Sequence, residues 1–239
     1  MIKTTVINYL GESLVLSPSF VTPISNIDGI GPMDAEIFTS KFARKGTRFN
    51  KSTLNERNIV ISMKITQDVE AQRGVLSRFF VPGEQVTLIF ETNARKGEIV
   101  GYTERLPIGW FSKLTSATIS VICPDPFFYG DEQTVEFAEE GHIASESVME
   151  NDFVATVVFA AEAEDYKITV NGSVFGVNYA FDAGDTLMID TENRKIMLNG
   201  KTNLYNYKSG SWPVLQYGNN VISASADTSI RYTDKYISM

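Results

Sequence analysis

The sequence predicts a mainly β protein in two parts: an α+β first domain with one helix, and an all-β sandwich behind it. Three observations carry that expectation. Residues Asn58 to Ile65 (NIVISMKI) alternate apolar and polar, Pro124-Asp125-Pro126 interrupts the chain, and beyond it Asn-Gly pairs separate short β-branched runs. Period-two alternation marks a half-buried strand. Two prolines in three residues cannot continue a central strand and favour an extended connector. Asn-Gly suits the type I′ hairpin turn because both of its central positions need positive φ.

Taken in order, the first strand puts Ile59, Ile61, Met63 and Ile65 on one face. A helix is expected next, capped by Thr66 or Asp68, with Val69, Val75, Leu76, Phe79 and Phe80 as its apolar stripe and Pro82-Gly83 as its stop. QVTLIFET then presents Val86, Leu88 and Phe90 on one face, Asn93 to Gly97 form a turn, and EIVGYTE returns antiparallel. SATISVIC points Ala117, Ile119, Val121 and Cys123 inward, which makes Cys123 a small buried hydrophobe. After the prolines, Phe127, Phe128 and Tyr129 pack the connector and Gly130 closes it, so the domains are expected at 1–130 and 131–239. In the second, FVATVVF, YKITV, TLMID and RKIMLNG read as strands between turns at Asn171-Gly172, Asp182 to Asp185, Asn199-Gly200 and Tyr217 to Asn220. Strands at such intervals argue for a β-sandwich.

Composition narrows the function. With 239 residues, 43% hydrophobic and 21% charged, the chain reads as one large or two ordinary globular domains. It carries no apolar run of the roughly 20 residues a membrane helix needs, and its N-terminus lacks a secretion signal. A single cysteine leaves no intramolecular disulfide and no multi-cysteine metal cluster. Through Cys123 there are 14 Lys+Arg against 11 Asp+Glu; the remainder has 7 against 18. An acidic protein of net charge −8 is a poor ligand for nucleic acid, where phosphate contacts dominate.

Chemistry has few places to reside. A Ser–His–Asp or Cys–His arrangement would have to use His142, the only histidine, which sits in the acidic run EEGHIASES. Asp182, Asp185 and Asp190 offer oxygens for calcium, but turn capping explains them more simply. No catalytic residue, metal site or cofactor is therefore expected. Two surfaces remain. Tyr205, Tyr207, Trp212 and Tyr217 offer aromatic docking or glycan contacts, or pack the sandwich core and rim. Lys41, Arg44, Lys45, Arg48, Lys51 and Arg57 form the densest basic run, with Gly46 and Phe49 among them. It reads as a solvated loop, a nucleic-acid contact or a protein contact, and its arginines favour the last.

The run from Ile27 to Ile65 resembles the N-terminal signature of siphovirus distal tail proteins: an aspartate-glycine start, then Arg48-Phe49-Asn50 and Leu54-Asn55-Glu56-Arg57-Asn58-Ile59. A helix with a Pro-Gly stop, a hairpin and ISVICPDPFF follow in that family's order, and Gly184 to Gly200 and Ser211 to Ala226 resemble its galectin-like C-terminal domain. The resemblance implies a homohexameric ring built by the first domain, whose arm or belt lies against the neighbouring subunit. Arg44, Lys45, Arg48, Phe49, Asn55 and Arg57 are then the subunit-interface candidates. It implies a ring that joins the tail tube protein to the tail-tip or tail-associated lysin protein, with viral DNA passing through the lumen. The galectin-like domain would project outward and, in some phages, dock receptor-binding proteins. The place is the virion tail, assembled in the host cytoplasm, without enzymatic activity or membrane insertion. The competing expectation is a carbohydrate-binding protein that recognises cell-wall glycans through its C-terminal sandwich.

Overall fold

A computed structural model describes residues 2–16, 24–33, 35–41, 47–65, 68–108 and 115–239. The chain divides into unit 1, Met1–Tyr129 with Ile237–Met239, and unit 2, Gly130–Tyr236. The last three residues thus rejoin the first unit, a return that no local pattern announces.

Unit 1 comprises β1 (Lys3–Ile7), β2 (Ser13–Leu16), β3 (Ile24–Asp28), β4 (Ala35–Lys41), β5 (Thr47–Leu54), β6 (Arg57–Ile65), α1 (Val69–Phe79), β7 (Gln85–Glu91), β8 (Lys96–Arg105) and β9 (Thr115–Cys123). Its sheet runs β2–β1–β7–β8–β9–β6–β3, and each adjacent pair is antiparallel. The expected alternation is realised at the centre: Ile59, Ile61, Met63 and Ile65 of β6 and Ala117, Ile119, Val121 and Cys123 of β9 are wholly buried. Their register runs from Arg57↔Cys123 to Ile65↔Thr115. Burying each large aliphatic of this set stabilises the fold by about 1.5–3 kcal/mol.

The helix buries Leu76 and Phe79, followed by Phe80, and leaves Val69 and Val75 half-buried. Asp68 stands at the N-cap with φ 43 but makes no side-chain cap bond, and Thr66 lies outside the described residues. The β7–β8 turn is earlier than the sequence suggests. Thr92 N–H donates to Arg95 O at 2.9 Å, and Thr92 Oγ1 accepts from the amides of Ala94 and Arg95. Gly97 is already inside β8. Threonine here uses its hydroxyl to satisfy turn amides, a role usually looked for in Asn or Asp.

The strands β4 and β5 form a two-stranded sheet of their own. They pair from Ala35↔Leu54 to Lys41↔Thr47, with a bulge after Phe38.

Unit 2 contains β10 (Phe128–Phe137), which starts in unit 1, then β11 (Glu140–Ser145), β12 (Phe153–Val158), β13 (Tyr166–Val170), β14 (Ser173–Val177), β15 (Thr186–Asp190), β16 (Lys195–Leu198), β17 (Thr202–Asn203), β18 (Lys208–Gly210), β19 (Gly218–Ala224) and β20 (Thr228–Tyr236). One sheet runs β17–β16–β15–β12–β20–β10 and the other β11–β19–β13–β14–β18. Phe153, Ala155, Val157, Leu187, Ile189 and Ile230 of the first share a single core with Tyr166, Ile168, Phe175, Val177 and Ile222 of the second. That is a β-sandwich. Asn171-Gly172 joins β13 to β14 and Asn199-Gly200 joins β16 to β17, all four residues at positive φ. Gly130 does not close the connector; it lies within β10. The acidic run around His142 forms strand β11.

Candidate functional site

Strand β6 opens at Arg57, on the same face as Ile59 and Ile61, so alternation carries its side chain inward, where it is 2% exposed. The guanidinium is satisfied by main-chain carbonyls. Nε donates to Pro126 O at 2.8 Å, Nη1 to Gly29 O at 2.5 Å and Gly31 O at 2.9 Å, and Nη2 to Ile237 O at 2.7 Å. Its central carbon lies 4.7 Å from the Phe128 ring centroid, and that ring meets Phe90 edge-on at 5.8 Å. A fork of five N–H donors can bind several oxygens at once, which a lysine cannot do.

Gly29 is required there. At φ +85 a side chain is strained, and a Cβ would run into the Asn58 carbonyl. Asp28 Oδ1 accepts the Gly29 amide at 2.9 Å, which fixes the turn that aims the Gly29 carbonyl at Arg57. The aspartate-glycine start and the arginine of the later motif therefore belong to one constellation. Met239 completes it, its amide donating to Ile30 O at 3.0 Å and its thioether lying against Gly97. Burial lowers the proton affinity of Arg57, opposed by the neighbouring Cys123 thiol. Burial also pushes the Cys123 thiol up to about 12, partly offset by Arg57.

This corrects the expectation for Arg57, whose charge is engaged inside unit 1 and is not offered to a neighbour. Of the other interface candidates, Asn55 is exposed just beyond β5, and Arg48 and Phe49 are positions on β5 opposite Ser40 and Thr39. Arg44 and Lys45 lie outside the described residues. Two arm residues that the sequence reading did not single out are conspicuous. Ile37 is 63% and Phe38 37% exposed, with Lys51 Nζ 5.0 Å from the Phe38 ring centroid. The signal available for them was a pair of apolar residues beside a basic run.

In unit 2 the aromatic candidates separate. Trp212 packs partly buried on the core, 5.0 Å from the Phe175 ring. Tyr205 lies 6.3 Å from Trp212 with 31° between planes, and Tyr207 meets Tyr179 at 5.1 Å. Tyr217 stands apart on the β19 approach, 75% exposed. Lys208 Nζ reaches 5.8 Å from the Trp212 ring centroid.

The acids singled out for calcium serve their own turns. Asp185 Oδ2 accepts the Asp182 amide and Oδ1 the Asn199 side chain, which together hold its carboxyl below the usual range, while Asp190 accepts both the amide and side chain of Asn193. His142 is on the exposed side of β11, opposite Val221. Among the described residues no three His, Cys, Asp or Glu side chains converge as a metal site would need, and no helix is long and apolar enough to cross a membrane.

Residues 147–236 match the family described as siphovirus-type tail component, C-terminal domain. The distal tail protein of Bacillus phage SPP1 is 30% identical over 141 residues, 54% of this chain and 53% of that protein, so the matched stretch spans about half the relative's length. The crystal structure of SPP1 Dit, described as a paradigm of hub adsorption apparatus in Gram-positive infecting phages, superposes with a TM-score of 0.79 at 15% identity, over 99% of both chains. The chain is therefore similar to siphovirus distal tail proteins, in part of its sequence and over its whole length in fold. A chain of the phage P2 baseplate in its activated conformation, solved with Ca and with Sr, shares the fold at TM-scores of 0.50 and 0.51 and 9% identity, over 100% of both chains.

Proposed function

We propose that this chain is a distal tail protein and a ring subunit, a homohexamer that joins the tail tube protein to the tail-tip or tail-associated lysin protein, with the viral DNA passing through its lumen. Unit 1 builds the ring. Unit 2, the galectin-like sandwich, projects outward and docks receptor-binding proteins. The role is structural, without chemistry of its own or a cofactor, and the ring is assembled in the host cytoplasm.

The observation that carries this reading is the β4–β5 arm. Its strands pair only with each other among the described strands, and it exposes Ile37 and Phe38. An isolated two-stranded hairpin is marginal in water and needs an apolar surface to pack on. In a subunit of a closed ring that surface is a neighbour's, reached by a head-to-tail contact. Negative-stain microscopy of the purified chain, alone and with the tail tube protein, tests the reading. Rings with a wide lumen are expected. Particles that remain single copies in both samples would sink it.

A second reading has its own observation: Tyr205 and Trp212 lie side by side with tilted planes, an apolar platform on unit 2 on which a sugar ring could stack. Glycan-array binding that is lost in Tyr205→Ala favours it.

A further inference from the structure

Asn-Gly is the dipeptide in which an asparagine side chain is most open to attack by its own backbone. The nitrogen of the following residue bonds to the asparagine Cγ and expels ammonia, and glycine puts no Cβ in the way and bends freely. Water then opens the cyclic imide at one carbonyl to aspartate or at the other to isoaspartate. The chain has two such pairs, Asn171-Gly172 and Asn199-Gly200, and both stand exposed in turns of unit 2.

The two side chains are tied down in the same way. Asn171 Nδ2 donates to Asn220 Oδ1 at 2.7 Å, and its Oδ1 accepts the Val221 amide at 3.0 Å. Asn199 Nδ2 donates to Asp185 Oδ1 at 2.8 Å, and its Oδ1 accepts the Thr186 amide at 2.8 Å. Each turn thus leans on two consecutive residues of another strand or its approach: the side chain of the first takes Nδ2, and the amide of the second takes Oδ1. Cyclisation must rotate the planar amide, make Cγ tetrahedral and release Nδ2 as ammonia, and a group held at both its oxygen and its nitrogen resists all three. One net hydrogen bond favours a conformer by a factor of about five, so two favour it by about thirty. We propose that Asn171 and Asn199 are latent deamidation sites, and that Asn220 and Asp185 hold them unreacted. Failure of either lock would be felt in the fold. Aspartate at 171 sets a carboxylate against Asn220 Oδ1, on the residue whose Nδ2 donates to the Gln216 and Gly218 carbonyls and so shapes the loop that carries Tyr217. Aspartate at 199 faces the Asp185 carboxylate, and isoaspartate at either position adds a methylene to the backbone of a hairpin turn. The inference stands independently of the ring reading.

The test is ageing of the full chain at mildly alkaline pH, followed by peptide mapping in a mass spectrometer to separate asparagine, aspartate and isoaspartate. In the native chain both asparagines are expected to convert at least about tenfold more slowly than in the same chain unfolded in guanidinium. Asp185→Ala should speed Asn199 by about fivefold or more and leave Asn171 at its native rate, and Asn220→Ser should do the reverse. That crossed pattern separates a local lock from a general loosening of the sandwich, which would speed both sites together. Should Asn220→Ser fail to fold, Asp185→Ala, on a surface turn, decides alone. Native rates equal to those of the unfolded chain overturn the proposal, as does an Asp185→Ala variant in which Asn199 reacts no faster. Acceleration of both sites by either variant overturns the assignment of Asn220 and Asp185 as the holding residues.

Discussion

Arg57 and Ile237 are 180 positions apart, yet Arg57 Nη2 donates to the Ile237 carbonyl at 2.7 Å. The same side chain also holds Gly29, Gly31 and Pro126, so one buried cation ties together three distant segments of unit 1. Removing it leaves several carbonyls without a donor, and a buried acceptor left without its charged partner costs more than an average hydrogen bond contributes. Arg57→Met is expected to lose about 2–4 kcal/mol of stability, read from denaturant midpoints. Arg57→Lys should recover only part of it, because an ammonium lacks the planar fork. Hydrogen exchange at Ile237–Met239 should quicken in both variants. A fully stable Arg57→Met would show that the clamp is dispensable.

Ile37→Asp and Phe38→Asp lie on the exposed arm and should leave the melting of the isolated chain within about 0.5 kcal/mol of wild type. Both are expected to abolish assembly in light scattering. Equal loss of stability and assembly would mean that these side chains support the fold of unit 1 instead.

Two glycines of β8 predict opposite tolerance. A Cβ at Gly101 would meet Val121 Cγ1 at 2.6 Å, Cys123 Sγ at 2.7 Å and the Ile122 carbonyl at 2.8 Å, where neighbouring backbone cannot yield. Gly101→Ala should cost about 1–3 kcal/mol by overpacking. At Gly97 the nearest obstacle is the flexible Met239 side chain, so Gly97→Ala should cost less and chiefly mobilise Met239. Thermal melts of the pair, with exchange at residue 239, check the order.

Alkaline pH should destabilise unit 1 through Cys123. Its folded thiol keeps its proton up to about 12, whereas the unfolded thiol releases it near 9. The stabilisation is therefore complete below pH 9 and is lost as pH rises from 9 towards 12, at about 1.4 kcal/mol per unit. Cys123→Ala should flatten that slope in denaturant titrations at pH 8 and 10.5. Residual slope above pH 10 falls to groups such as Tyr166, whose phenol burial also raises. A thiol reagent at neutral pH should label the native chain only as fast as it unfolds.

Trp212→Ala should cost about 2 kcal/mol or more, since the ring packs on the sandwich core, while Tyr217→Ser, at a position 75% exposed, should be nearly neutral. If receptor-binding proteins dock on the aromatic surface, Tyr217→Ser and Tyr205→Ser weaken their capture without lowering the melting temperature. Unchanged capture would remove both tyrosines from the docking surface.

What was legible beforehand was what local periodicity encodes. The β6 and β9 faces and the Asn-Gly hairpins follow from side-chain alternation and positive φ, both properties of a few adjacent residues. Arg57 was misread because a cation among five others looks like surface, whereas its strand phase, shared with Ile59, pointed inward. Strand β11 was missed because its outward residues Glu140, His142 and Ala144 hide that Ile143 and Ser145 face the core.

The grip of one guanidinium on both Pro126 and Ile237 means that the chain leaves for unit 2 and comes back at adjacent points of unit 1. Unit 2 is in that sense a cassette plugged into a socket. An unrelated domain spliced between those two points would leave unit 1 undisturbed, provided the flanking carbonyls still reach the arginine. It also orders synthesis: residues 237–239 leave the ribosome only after the whole cassette, so the socket stays unlatched until the insert has been made.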